Sequence, residues 1–204
     1  MKISKIPLLF LLLIGCDPFV TEFSETENAV MYKASNIPGD SDVYDDGALK
    51  VVTWNIRFGS GRFPFFGDSC GDEVISENSD VKLIMQAIAD TLNKIDADIV
   101  LLQEVDVSSK RTGYLDQVQY LLENTYLNYG CYASMWKADF IPTDGIGKIN
   151  TGNAILSRYE ITEAERVELR LRTDQDDLIQ YFYLRRNILK AKIPSLAQSG
   201  KDFF

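Results

Sequence analysis

Two β-branched apolar runs, Leu49 to Ile56 (LKVVTWNI) and Ile99 to Gln103 (IVLLQ), bracket one amphipathic helix, and this spacing limits the fold more than any other feature. Runs without polar alternation suit buried strands. Between them Val81, Ile84, Ile88, Leu92 and Ile95 recur at helical spacing, while Lys82, Gln86, Asp90 and Asn93 fall off that stripe. Ser79 or Asp80 is available as the cap. Strand, helix and strand joined this way make a parallel crossover unit.

Downstream, Leu115, Val118, Leu122 and Tyr126 line one face of a second predicted helix, from about Leu115 to Leu127. Strands are predicted over Tyr129 to Trp136, Asn153 to Leu156, Ile161 to Leu171 and Tyr181 to Ile193. The turn-rich Pro142 to Gly152 and the polar Thr173 to Asp177 separate them. The result is a mixed α/β sheet with antiparallel members. Arg166, Arg170 and Arg172 alternate with Val167, Leu169 and Leu171, as on a strand with one solvent-facing side, and Arg185 and Arg186 read as surface charges too. Arg158 reads as solvated or salt-bridged. At 204 residues and 46% hydrophobic, the chain can bury the core of one domain.

The formal charge of −9 argues against a protein that coats nucleic acid through its global charge, although a local basic cleft stays open. The sequence has no histidine, which excludes Ser-His-Asp and Cys-His catalysis, histidine zinc sites and histidine general bases among these residues.

Lys2 and Lys5 precede an apolar stretch, Ile6 to Ile14, that is too short to span a bilayer and reads as the core of a signal peptide. It closes on Leu13, Ile14, Gly15 and Cys16, which resembles a bacterial lipobox. The resemblance implies a signal peptide at 1–15, lipidation of Cys16, and a protein anchored to the membrane of the bacterial cell envelope. The alternatives are an ordinary cleaved signal or a chance cysteine. The polar, acidic stretch at 16–48 then reads as a flexible tether, with the folded domain at 49–204. For Cys70 and Cys131 a disulfide is allowed but not implied; the alternative is two unpaired thiols, with Cys131 packed as a small hydrophobe.

The first strand ends Thr53, Trp54, Asn55, Ile56, Arg57 and the next ends Leu101, Leu102, Gln103, Glu104, Val105. Ligands of open α/β sheets bind beyond the carboxyl ends of strands, so Asn55 and Glu104 can converge on one cation or phosphate. A carboxylate with an amide suits a hard cation such as magnesium. Polar residues at strand ends also serve simply as turn formers.

The pair TWNIR and LLQEVD, followed by GNAILSR (Gly152 to Arg158) and RNILKAKI (Arg186 to Ile193), resembles the endonuclease/exonuclease/phosphatase superfamily. The resemblance implies a DNase I-like four-layer α/β sandwich, mixed sheets flanked by helices, with its C-terminal part missing from this chain. It implies a Mg2+-dependent phosphoesterase (Mn2+ being an alternative ion), Glu104 matching the metal-binding glutamate and Asn55 the asparagine that helps hold metal and phosphate. The implied partner is a phosphate ester, whether nucleic acid, phospholipid or sugar phosphate; no protein partner is implied.

Several members carry an acidic residue where this chain has Arg57, which points to one metal instead of two, to an arginine contacting phosphate, or to a surface charge. Arg111, in SSKRTGYLDQ, either binds phosphate or does not, and Asp116 caps the helix. Asn153 either shapes the start of its strand or reaches substrate. The family's later Asp/Asn segment and Asp-His pair have no counterpart in these residues. The sequence therefore reads as a catalytically incomplete fragment; the alternative is a non-catalytic lipoprotein binding module on the same scaffold.

Overall fold

The computed structural model describes residues 21–37, 48–67, 70–141, 145–171, 173–174, 176, 180–181 and 184–194. The lipobox and Cys16 lie outside these residues. Among those described, the chain forms β1 (Thr26–Asn28), β2 (Val30–Lys33), β3 (Val51–Asn55), α1 (Asn78–Ile95), β4 (Ile99–Asp106), α2 (Gln117–Asn124), β5 (Tyr129–Ile141), β6 (Gly147–Ser157), β7 (Glu163–Glu168) and β8 (Asn187–Lys192). These make a five-stranded sheet, ordered β2-β5-β6-β4-β3, and a three-stranded sheet, ordered β1-β7-β8.

The two apolar runs pair as parallel β3 and β4, from Val51 opposite Ile99 to Asn55 opposite Gln103, with α1 as the crossover. The other pairings are antiparallel. One face of the five-stranded sheet packs on the helices, where Val81, Met85, Ile88 and Leu92 meet Val100, Leu102, Leu121 and Leu156. Its other face shares a second cluster with the smaller sheet, including Tyr129, Cys131, Ile155, Ala164 and Ile193. Helices, large sheet and small sheet are thus three successive layers of a mixed α/β fold; the fourth layer of the expected sandwich is not among the described residues.

Several local expectations change. Residues 26–33 are no tether: β1 pairs with β7, and β2 with β5. Edge strands of three and four residues are half-exposed and need no apolar run, so the segment reads as polar linker in sequence. Helix α1 begins one turn's fraction earlier than expected, with Glu77 at its N-cap and no side-chain cap bond. Ser79 and Asp80 therefore sit inside the first turn, where the Asp80 charge favours the helix dipole. Asp116 does cap α2, accepting the Gln119 N–H at 3.0 Å. The β5–β6 hairpin is longer than its apolar core suggests, because Lys137 to Ile141 pairs back across to Gly147 to Asn150.

Arg166 is the largest departure. Instead of facing solvent it is 1% exposed. Its Nε donates to Ser134 O at 3.0 Å and its Nη2 to Arg185 O at 2.9 Å, and the guanidinium lies 4.0 Å from the Phe23 ring centre. Burial pulls its pKa below the usual arginine value. Arg185 is buried as well and donates to Gln180 O. Arg158 matches its reading, in an ion pair with Asp96 at 2.6 Å. Cys70 is exposed, Cys131 is buried, and both are free thiols. Among the described residues no helix is long and apolar enough to cross a membrane.

Candidate functional site

Because β3 and β4 are parallel neighbours, the polar residues that end them arrive at the same edge of the sheet. Asn55 Nδ2 donates to Glu104 Oε1 at 2.9 Å. On its other side Asn55 Oδ1 accepts the Arg57 backbone N–H at 2.9 Å, so the amide is oriented from both ends.

The backbone is bent on both strands to allow this. After β3 the chain enters a 3-10 turn, Arg57–Gly59, in which Arg57 and Phe58 have φ of 48° and 45°. In β4 the ladder slips between Leu102, opposite Ala154, and Val105, opposite Gly152, and Glu104 sits in the bulge at φ 55°. A bulge re-aims a side chain that a regular strand would direct elsewhere. Non-glycine residues held in the left-handed region cost roughly 1–3 kcal/mol each and concentrate at functional sites. Gly152 opposite the bulge is required sterically, since a Cβ there would collide with the Ala133 carbonyl oxygen.

Behind the pair lies a buried polar network that sequence reasoning missed. Asp106, 0% exposed, takes Arg111 Nε and Nη2 on its two oxygens at 2.8 Å each and the Thr112 hydroxyl at 3.0 Å. Gln117 accepts the Asp106 N–H at 2.9 Å and donates to Phe58 O at 2.7 Å, tying the end of β4 to the strained turn after β3. Arg111 stacks on the Phe58 ring at 3.7 Å, and its Nη1 makes no hydrogen bond among the described residues. Asp106 was visible only as the last letter of QEVD, and the role of Gln117 has no local signal at all.

A cleft of about 530 Å³ opens over these groups, lined by Asn55, Arg57, Glu104 and Arg111 on the polar side and by Phe58, Phe65, Met135, Trp136, Thr151 and Leu184 elsewhere. Four sequence-predicted residues thus come together. Arg57 spends its guanidinium on Gly61 O and Phe63 O, at 2.5 and 2.6 Å, and so shapes the loop beside the cleft. Asn153 is not among the lining residues. Its amide donates to Asn187 Oδ1 at 3.2 Å, and Asn187 Nδ2 donates to Ser134 O at 2.9 Å, so it ties the two sheets together.

One group of the site suits a hard cation, the Glu104 carboxylate; Asn55 turns its Nδ2 toward that carboxylate and its Oδ1 to the Arg57 N–H, so its amide oxygen joins a cation only if the amide turns over. Among the described residues no group of three or more His, Cys, Asp or Glu side chains gathers, at this site or elsewhere. Magnesium is commonly held by one or two carboxylates, with water and substrate phosphate completing its shell.

Two solved structures resemble the chain. An endonuclease/exonuclease/phosphatase from Beutenbergia cavernae DSM 12333 is 20% identical, with a TM-score of 0.44 over 71% of this chain and 34% of its own. An endonuclease/exonuclease/phosphatase family protein from Leptotrichia buccalis C-1013-b is 16% identical, with a TM-score of 0.45 over 76% of this chain and 52% of its own. The chain therefore spans about a third and about half of the proteins it matches. No curated protein sequence matches it. Residues 52–196, which contain β3 from its second residue, β4 through β8 and every residue of the cleft, match the sequence model of one family, and on that match the chain belongs to the endonuclease/exonuclease/phosphatase family.

Proposed function

We propose that the chain is a metal-dependent phosphoesterase, acting on a phosphodiester or phosphomonoester by attack of water at phosphorus. The observation that carries this reading is the Asn55–Glu104 pair, joined at 2.9 Å on a strained bulge at the mouth of the cleft. Glu104 and Asn55 would hold Mg2+ or Mn2+, and a cation there supplies charge neutralisation at a phosphoryl oxygen. Arg111 presents the guanidinium edge not used by Asp106, a planar donor suited to phosphate oxygens. The Asp106 carboxylate and the Phe58 ring hold that guanidinium in one plane, so its donors are positioned before substrate arrives.

Substrates compatible with the reading are nucleic acid, phospholipid and sugar phosphate. Lipidation at Cys16 would hold the domain at the envelope membrane. No histidine exists among the 204 residues to serve the attacking water or leaving group, so weak or no turnover is expected from these residues alone. The alternative is a lipoprotein module that binds the phosphate group without cleaving it.

Manganese binding followed by electron paramagnetic resonance tests the site directly. The full chain should bind one Mn2+, more tightly with inorganic phosphate present, and Glu104→Gln should remove the site while leaving the thermal melt in place. Unchanged Mn2+ affinity in Glu104→Gln would overturn the reading. Magnesium-dependent hydrolysis of bis(p-nitrophenyl) phosphate then separates enzyme from binding module, and any turnover should fall at least about 100-fold in Glu104→Gln.

A further inference from the structure

The described chain before β1 is pinned against the fold and leaves little slack before Cys16. Glu25 O accepts the Glu168 N–H at 2.8 Å, the Phe23 ring centre lies 4.0 Å from the Arg166 guanidinium, and the Thr21 N–H donates to Lys137 O at 2.8 Å. Arg166 in turn holds Ser134 O at the bulge of β5, where the β5–β6 register slips between Ser134 and Trp136. Traced back from Phe23 to Thr21, the chain therefore advances along β5 from Ser134 to Lys137, toward the far end of the β5–β6 hairpin. Cys16 lies five residues before Thr21.

Five residues, fully extended, reach about 18 Å. The glyceride of a lipidated cysteine sits at the headgroups, so Lys137 can stand only slightly farther than that from the lipid surface. The opposite end of the large sheet is out of range. Val51 pairs with Ile99, Ile99 with Ser157 and Ser157 with Tyr129, so the start of β3 lies level with the start of β5. From Tyr129 to Lys137 the strand rises about 26 Å, and a domain standing on its Val51 end would lift Lys137 beyond the leash. The hairpin end is the end that reaches the lipid.

The surface of that end suits the contact. Ala138 and Ile141 are buried with Ile146, Ile149 and Phe66, which fixes the hairpin, whereas Phe140 between them is 52% exposed. Lys110 Nζ donates to Gly145 O at 2.8 Å and braces the returning side. Asp139, the carboxylate beside Phe140, pairs with Lys148 at 3.8 Å. Residues 137–150 carry two lysines and two aspartates, a net charge of zero in a chain of −9, so anionic headgroups meet no local repulsion. An aromatic ring at headgroup level buries apolar area there.

We propose that the far end of the β5–β6 hairpin, with Phe140 as its apolar contact, is the surface this domain lays on the lipid bilayer that holds Cys16. The contact need only be weak, because a short linker keeps it at about millimolar effective concentration. Met135 and Trp136 immediately precede Lys137 and line the cleft, so the cleft opens at the membrane-facing end as well. The inference rests on lipidation of Cys16 and is independent of the metal chemistry.

Depth-dependent fluorescence quenching of the lipidated full chain tests it, in vesicles of phosphatidylethanolamine and phosphatidylglycerol with brominated acyl chains. Phe140→Trp and Val51→Trp each add an indole at an exposed position, one at either end of the sheet, and the wild-type emission is subtracted. The indole added by Phe140→Trp should lose about half its emission or more, as expected at the hydrocarbon boundary, and the indole added by Val51→Trp should lose almost none. Inserting about twenty Gly and Ser residues between Asp17 and Pro18 makes the leash five-fold longer, and the ratio of quenched to unquenched Phe140→Trp indole should fall about ten-fold. An unchanged ratio would overturn the short leash as the orienting device. If Cys16 carries lipid by mass spectrometry and the two indoles are quenched alike, the docking surface is wrong and the anchor stands. If Cys16 carries no lipid, and Cys16→Ala sediments with vesicles as the wild type does, both fail.

Discussion

Glu104 shows what a single residue can and cannot disclose in sequence. That it ends a buried strand beside Asn55 was readable, because the apolar runs mark the strands and their parallel pairing follows from one intervening helix. Its left-handed backbone was not, since a bulge depends on the partner strand, here on Gly152 passing under Ala133 O. Arg166 misled for a related reason: alternation with Val167 and Leu169 reads as a solvent face, but the guanidinium finds backbone carbonyls as partners between two sheets. Cys131 yields a prediction at this scale. Burial pushes its thiol up to about 12 from an ordinary value of 9.0. The folded chain then holds this proton more tightly than the unfolded one, so the contribution is fully present below pH 9 and lost as pH rises toward 12. Relative to Cys131→Ala, the wild type should lose about 1.4 kcal/mol per pH unit across that window, measured by urea unfolding at stepped pH. Parallel pH dependence of the two proteins would show that the thiol is not desolvated in the native state.

At the scale of elements, α2 is more than a helix covering the sheet. Its cap was legible from Asp116, but its first residue, Gln117, is the clamp between β4 and the turn after β3, and nothing within the local sequence distinguishes it from a surface glutamine. Gln117→Met keeps the volume and leaves the Asp106 N–H and the Phe58 carbonyl unpaired. Destabilisation of about 2–6 kcal/mol is expected, from an unsatisfied-group cost of roughly 1–3 kcal/mol each, read by denaturant unfolding. Mn2+ affinity should fall as well, because the turn that orients Asn55 is released. Arg111→Met strands the fully buried Asp106 carboxylate and should cost about 3–5 kcal/mol, whereas Arg111→Met combined with Asp106→Leu should recover much of that loss. If the double variant is no more stable than the single one, the ion pair is not the reason Arg111 is buried. The length of the β5–β6 hairpin was illegible on the same grounds, since Gly147 and Asn150 look like turn residues until they are paired with Ile141 and Lys137.

The whole molecule depends on a segment that sequence patterning assigns to linker. Within eight residues, 26–33, the chain adds an edge strand to the small sheet as β1 and another to the large sheet as β2. Between them Ala29 is buried in the cluster shared by the sheets, and its N–H donates to Ala164 O at 2.9 Å. The segment therefore staples the two layers, alongside the Asn153–Asn187 bond and the arginine-pinned bulge. Removing it would also uncover β5 from Tyr129 to Tyr132, a run of buried residues whose backbone now pairs with β2. Unpaired, flat, apolar edges invite association with other chains. A chain beginning at Leu49 should thus melt lower than one beginning at Asp17. Loss of about 3 kcal/mol corresponds to roughly 6–12 °C for a domain of this size, and the shortened chain should also aggregate on refolding. Ala29→Pro in the longer chain tests the staple with one substitution, because it removes the N–H donated to Ala164 O without shortening anything. Light scattering and calorimetry should place that variant between the two. If the Leu49 chain melts within 1 °C of the longer one and stays monomeric, by the measurement precision assumed in the same size scaling, residues 16–48 act as a tether after all and the sheets hold without their staple.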